Sequence, residues 1–242
     1  CEKFRTDCGR CPNLSLAINF VPKLILRSEV NFYDLYSGAT FICPSRWMLQ
    51  QAQLSKVMHS SRIVYIPNYL STDYVPEYKI RKPGKYRVGV ASMSENSYFK
   101  GDDLVRSLRE STKRESSKFE ILKMGDFPQS DLGRNDFWRN IDVLLVPSRA
   151  DNSPNVIHEA KIQGLRVIAT DVGGIKELLD LDYDLLIPLE DLNFNNLKAT
   201  IEQASRTLTS HSEVLEIRRK YIEFVDLPLE KVISTYFSLV EL

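Results

Sequence analysis

The stretch Asp142-Val143-Leu144-Leu145-Val146-Pro147-Ser148-Arg149-Ala150-Asp151-Asn152-Ser153-Pro154 decides the fold of this chain. Four aliphatic residues in succession are apolar on both faces and too few for a helix, so they predict a strand covered on both sides. A polar loop follows at once, and Pro154 opens a helical pattern. The same grammar extends outward. Tyr86-Arg87-Val88-Gly89-Val90, Phe119-Glu120-Ile121-Leu122, Arg166-Val167-Ile168-Ala169 and Asp184-Leu185-Leu186-Ile187 are further short strands. Segments of helical spacing between them begin near Asp102, Asn135, Pro154, Gly174 and Asn193. Buried strands alternating with helices predict an α/β domain with a doubly wound parallel sheet. Such sheets bind ligands outside the carboxyl ends of their strands, which directs attention to the loops after Val90, Val146 and Ala169.

Before residue 86 the order is looser. A Cys-rich loop leads to a helical pattern over about 21–37, a strand at Ala39-Thr40-Phe41-Ile42, a helix from about Arg46 capped by Ser45, and a strand at Ile63-Val64-Tyr65-Ile66. Two αβ units are too few to close a domain. Pro76, Pro83-Gly84 and four basic residues mark Ser71 to Lys85 as a linker. We therefore expect a partial α/β domain over 1–70, a linker over 71–85, the main domain over 86–210, and C-terminal helices over 211–242 that pack back across the boundary. The opening on Cys1, without an initiator Met and in what reads as a loop, leads us to expect a segment upstream.

Composition excludes several classes. Of 242 residues, 43% are hydrophobic and 26% charged, enough apolar material for a sizeable core and no sign of disorder. Thirty-two basic residues balance thirty-two acidic ones, so no net field points to nucleic acid. The balance is uneven along the chain: residues 1–87 hold thirteen basic and six acidic side chains. No apolar run approaches the ~18 residues of a membrane span, and the first twenty residues lack the apolar core of a secretory signal. Four cysteines are too few for a disulfide scaffold, and a reducing compartment is the expectation.

Three loops carry residues suited to one anionic, hydroxyl-rich ligand. The first runs Ser92-Met93-Ser94-Glu95-Asn96-Ser97-Tyr98-Phe99-Lys100-Gly101. It sets Lys100 beside the amides of a helix N-terminus, either as a phosphate ligand or as a solvated surface lysine. The second places Asp151 in the loop and Glu159 inside the following helix. Carboxylates accept from vicinal hydroxyls, although Asp151 could equally cap the helix and Glu159 face solvent. The third, Ala169-Thr170-Asp171-Val172-Gly173-Gly174-Ile175-Lys176-Glu177, runs through two glycines into a helix. It could bring backbone amides close to a ligand or be only a tight turn. His158, beside Glu159, points ~100° away from it on a helix and is read as structural or solvated. Trp47 and Trp138 are expected in the core.

Together these loops resemble the donor domain of the retaining GT-B-fold glycosyltransferases, the Rossmann-like group 1 enzymes that include sucrose and glycogen synthases. Asp151-x7-Glu159-Ala160, followed by Gly164-Leu165-Arg166-Val167-Ile168-Ala169-Thr170-Asp171-Val172-Gly173-Gly174-Ile175-Lys176-Glu177-Leu178, is similar to that group's E-x7-E signature and the run after it. Lys100-Gly101 resembles its Lys-Gly at the donor diphosphate, and Ile66-Pro67-Asn68 its P-N-G before the interdomain linker. The resemblance covers about Phe41 to Leu242. Cys1-x6-Cys8-Gly9-x-Cys11 is similar to a segment in members that build bacterial surface polysaccharides. Cys1, Cys8 and Cys11 could supply three of four ligands to a structural zinc, or remain free thiols.

The resemblance implies roles. Lys100 would neutralise the diphosphate of a UDP- or GDP-linked sugar as leaving charge grows. Glu159 would hold the ribose hydroxyls, and Asp151, with the amides around Asn152, Ser153 and Asn155, the transferred sugar. Gly173, Gly174 and Glu177 would line the diphosphate side. No metal is required by this scheme. The implied activity is transfer of a hexose-like sugar, with retention, to a glycan or lipid-linked acceptor in polysaccharide biosynthesis. The implied setting is cytoplasmic, with peripheral contact at the inner face of the plasma membrane through the basic run Lys79 to Arg87.

Departures from the pattern support a competing reading, a non-catalytic nucleotide-sugar-binding or scaffold domain. Asp151 stands where Glu is commoner, Ser92-Met93-Ser94 replaces the basic residue expected after the first strand, and Tyr69 replaces Gly after Pro67-Asn68. Lys100 is then the sole side-chain charge for the phosphates unless Arg149 swings in. A phosphorylase-like enzyme would need a phosphate or cofactor lysine site that these residues do not offer.

Overall fold

The computed structural model describes residues 3–6, 8, 21–35, 38–58, 60–68, 84–92, 96–113, 117–207, 211–225, 233, 234 and 238. Cys1, Cys11, His59, Tyr69, Met93 to Glu95, Lys79 to Lys82 and most of the expected linker and last helix lie outside them, so the readings placed there stand as expectations. The chain divides into two compact units, Cys1–Asn68 with Val232–Leu242, and Tyr69–Lys231.

In the first unit α1 spans Val21–Leu35, β1 Thr40–Cys43, α2 Arg46–Leu54 and β2 Arg62–Tyr65. The two strands pair in parallel, with Thr40 opposite Arg62 and Cys43 opposite Tyr65. Ser45 caps α2 as expected, its hydroxyl accepting from Met48 N at 3.0 Å. Two strands cannot enclose a core, and apolar side chains remain uncovered within the unit. Leu24, Ile25 and Phe32 on α1 are each about half exposed, and Trp47, expected in the core, is 37% exposed.

The second unit holds the expected sheet. Its elements are β3 (Tyr86–Val90), α3 (Asp102–Thr112), β4 (Phe119–Lys123), α4 (Asp131–Asn140), β5 (Val143–Val146), α5 (Asn155–Ile162), β6 (Arg166–Asp171), β7 (Leu185–Pro188), α6 (Phe194–Arg206) and α7 (His211–Val225). The strands lie in the order β4-β3-β5-β6-β7, all parallel. Alternation along β5 feeds two core layers. Val143 and Leu145 pack with α3 and α6 residues such as Leu108 and Ile201. Leu144 and Val146 pack with Phe137, Trp138 and Ile157 of α4 and α5. Gly89 permits this second layer to close: a Cβ there would stand 2.5 Å from Ile141 Cδ1.

Boundaries differ from expectation for local reasons. β5 begins at Val143 because Asp142 is committed to Arg87, its carboxylate accepting from Arg87 N at 2.7 Å and pairing with the guanidinium at 3.3 Å. α4 begins at Asp131 rather than near Asn135, because Ser130 caps it through Gly133 N at 3.2 Å. The helical pattern expected from Gly174 is only a single 3-10 turn over Ile175–Leu178. The first of the C-terminal helices, α7, packs on α5 inside this unit. None of the described helices is long and apolar enough to cross a membrane.

Two buried polar pairs fix α5 from behind. His158 is 3% exposed, and its Nδ1 meets the Tyr221 hydroxyl of α7 in a short hydrogen bond. Burial pulls the imidazole down to about 4 and pushes the phenol up, so both are neutral near pH 7. Lys161 pairs with Asp184, both fully enclosed; burial lowers the ammonium against the pull of that carboxylate. Asp184 also accepts from Val167 N at 2.9 Å and Asp180 N at 2.8 Å, so the pair locks α5 to the start of β6.

Candidate functional site

β3 and β5 are neighbours in the sheet, yet the chain leaves β3 toward β4 on its other side, which opens a crevice at their carboxyl ends. A cleft of about 450 Å³ occupies it, floored by Val90, Ala91, Leu145 and Val146 and rimmed by Ser92, Ser97, Lys100, Ser148 and Asp151. Two of the three loops singled out in the sequence therefore meet here.

Their meeting is set by backbone contacts. Gly101 adopts φ +74, and a Cβ there would lie 2.2 Å from Pro147 O, so the end of the first loop sits directly on the second. Gly173, at φ +58, approaches Asp151 O so closely that a Cβ would stand 1.7 Å away. Gly174 N donates to Asn152 O at 3.0 Å. The glycine pair of the third loop thus serves loop docking, bringing β6's loop against the Asp151 turn. Glu177 lies beyond it in the Ile175–Leu178 turn, partly buried.

Lys100 Nζ stands 2.6 Å from Asp151 Oδ2. The lysine is 45% exposed and the carboxylate 12%, so the pair faces the cleft from its open side. Asp151 also accepts from its neighbour's amide, Asn152 N at 2.9 Å, and from Ser148 Oγ at 3.4 Å. It does not cap α5, whose cap position is Pro154 with no side-chain cap bond.

The amides beside Lys100 are engaged, contrary to expectation. Lys100 N and Asp102 N both donate to Ser97 O at 3.2 Å, and Gly101 N donates to Tyr98 O at 3.1 Å. Asp102 and Asp103 occupy the first turn of α3 and oppose its positive end. These three amides are therefore not open to an anion, which Lys100 can meet through its side chain. Arg149 does not swing in. It is held by both Asp103 oxygens at 2.6 and 2.8 Å, donates to Tyr98 O at 2.8 Å, and lies 4.0 Å over the Tyr98 ring. Its guanidinium keeps the Asp103 carboxyl below its ordinary value. Arg149 N bonds Phe99 O at 2.7 Å, so Arg149 is a latch between the first two loops.

Glu159 does not line this cleft. It is 16% exposed, on the turn of α5 after Val156, and its Oε1 accepts from Arg134 Nη2 of α4 at 2.5 Å. Its Oε2 is buried and bonded to no protein group. His158, the preceding residue, faces α7, so adjacent side chains point to different neighbours as the helix period requires. Asn152 and Ser153 lie in the turn between Asp151 and α5, and Asn155 is the first residue of that helix. Sequence reasoning missed Arg134; the signal was the Ser130-Asp131 cap, which puts Arg134 in the first turn of α4. For zinc, Cys8 is a free thiol, and the described residues hold no cluster of metal-ligating side chains, so zinc has no support here.

Residues 100–206, which include the Lys100–Asp151 pair and Glu159, match the family of glycosyl transferases group 1. Over that segment the chain is similar to a group 1 glycosyltransferase domain. Solved structures share its GT-B-type fold. The GtfA/B complex superposes with a TM-score of 0.57 at 17% identity, over 87% of this chain and 48% of that one. A glycosyltransferase from Rickettsia africae ESF-5 gives 0.61 at 13% identity, over 94% and 67%. Anabaena Alr3699/HepE in complex with UDP gives 0.60 at 15%, over 97% and 71%. This chain thus spans about half to about two-thirds of the length of these proteins. No curated protein matches it. At such identities the likeness establishes the fold alone, and the chemistry rests on the site.

Proposed function

We propose that the chain is the donor half of a retaining glycosyltransferase that moves a sugar from a nucleoside diphosphate to a glycan or lipid-linked acceptor in polysaccharide biosynthesis. The observation that carries this reading is the Lys100–Asp151 pair, held across the cleft between β3 and β5 by two glycine contacts. The apolar floor suits the body of a nucleotide sugar, and the rim supplies one cation and one carboxylate.

When the diphosphate enters, Lys100 leaves Asp151 for the phosphate oxygens, which accumulate charge as the anomeric carbon–oxygen bond breaks. Asp151, relieved of its cation, accepts from the hydroxyls of the transferred sugar. The acceptor hydroxyl oxygen bonds the same anomeric carbon, and its proton leaves with the nucleoside diphosphate. Glu159 accepts from the ribose. The UDP complex of the Anabaena protein, of similar fold, supports a nucleotide partner. A cytoplasmic setting at the membrane's inner face suits a lipid-linked acceptor.

Calorimetric titration with UDP, GDP and ADP tests the donor reading. Binding of one base is expected, weakened about 10- to 100-fold in Glu159→Ala, the range for a charge-assisted hydrogen bond. A folded chain that binds none of the three, or a variant that binds as tightly as the parent, contradicts it.

A further inference from the structure

We infer that Arg134 is a positioning residue of the donor site, holding one oxygen of Glu159 so that the other is presented to the ribose hydroxyls; this rests on the donor reading above. Three observations converge on it. Arg134 Nη2 is bonded to Glu159 Oε1 at 2.5 Å, while Glu159 Oε2 is buried and bonded to no protein group. A buried carboxylate oxygen without a partner costs desolvation free energy, and such a group calls for a ligand that completes it. A vicinal diol, as in a ribose, supplies the required hydroxyl donors.

Both ends of the contact are rigid. α5 is anchored behind Glu159 by the His158–Tyr221 and Lys161–Asp184 pairs. α4 is anchored where Arg134 leaves it. Ser130 caps the helix, and Gly133 sits so close to Pro128 O that a Cβ would stand 2.0 Å from it. With both backbones fixed, the remaining freedom lies in the two side chains, and the ion pair narrows it. The fork of the guanidinium also keeps a negative carboxylate from repelling the phosphates of the same ligand. Each carboxylate of the Asp151-x7-Glu159 motif is thereby matched to a cation from another element, Lys100 for the first and Arg134 for the second.

The test compares UDP with 2′,3′-dideoxy-UDP on the full chain and its Arg134→Ala and Arg134→Lys variants, with GDP or ADP and its dideoxy form replacing them if the parent prefers that base. Arg134→Ala is expected to weaken UDP binding about tenfold and the dideoxy nucleotide less than about twofold, because the effect passes through the ribose contact. Arg134→Lys, which keeps a cation, is expected within about threefold of the parent. Equal losses on the two nucleotides, no loss on either, or a lysine variant as weak as the alanine variant would overturn the inference. Arg134 is half-exposed, so the thermal midpoint is expected to hold; a large drop would assign it a structural role and overturn the inference as well. A parent chain that binds none of the nucleotides removes the donor reading and this inference with it. A parent that binds normally beside an indifferent Arg134→Ala variant removes the inference alone.

Discussion

Lys100 and Asp151, fifty-one positions apart, form an ion pair of 2.6 Å across the mouth of the β3–β5 cleft. The site is thus electrically closed before a ligand enters, and an anion must draw Lys100 away from Asp151. The exchange is inexpensive because Lys100 is 45% exposed, and half-solvated pairs contribute little, on the order of 1 kcal/mol.

Phosphate recognition through Lys100 should discriminate between ligands. Lys100→Ala is expected to weaken nucleoside diphosphate binding by about 1.5–3 kcal/mol and to leave the corresponding nucleoside unchanged. Titration of the variant with UDP and uridine, or the matching pair for another base, reads this directly. Equal losses on both would remove Lys100 from the phosphates.

Gly173 is the tightest loop contact, and its requirement is both conformational and steric. At φ +58, with a Cβ destined for 1.7 Å from Asp151 O, Gly173→Ala must displace one of the two loops. A loss of roughly 2–4 kcal/mol in urea unfolding is expected, together with weakened nucleotide binding. A variant of parental stability would mean that the loops are not docked as described.

His158 makes stability depend on pH with a definite sign. Its folded value of about 4 lies below the ordinary 6.5, so the unfolded chain takes up the proton first as pH falls. Stability from this group is complete above about pH 6.5 and is lost progressively toward pH 4, by at most about 3 kcal/mol. Denaturant midpoints at several pH values, compared with those of His158→Gln, isolate the effect. Parent and variant curves of the same slope would contradict it.

Much of the architecture of the second unit was legible in the residues themselves. Runs such as Val143 to Val146 are apolar on both faces, and only a strand covered by helices on each side satisfies that pattern. The carboxylate spacing of Asp151 and Glu159 and the Lys100-Gly101 step were readable for the same reason: each is a local pattern set by one stretch of chain. Helix beginnings were less legible where a cap outweighed periodicity, as at Ser130, and this misplacement hid Arg134.

What the sequence determined alone was the order of strands and helices, the parallel sheet and the loops that carry polar residues, because these follow from hydrophobic period and turn chemistry within short windows. Tertiary structure alone decided the partners. It paired Lys100 with Asp151, gave Arg134 to Glu159, committed Arg149 to Asp103, turned His158 toward Tyr221 and used Gly101 and Gly173 as loop contacts. Each of these joins groups remote in sequence, and their proximity depends on how the sheet brings its carboxyl ends together, which no local pattern encodes.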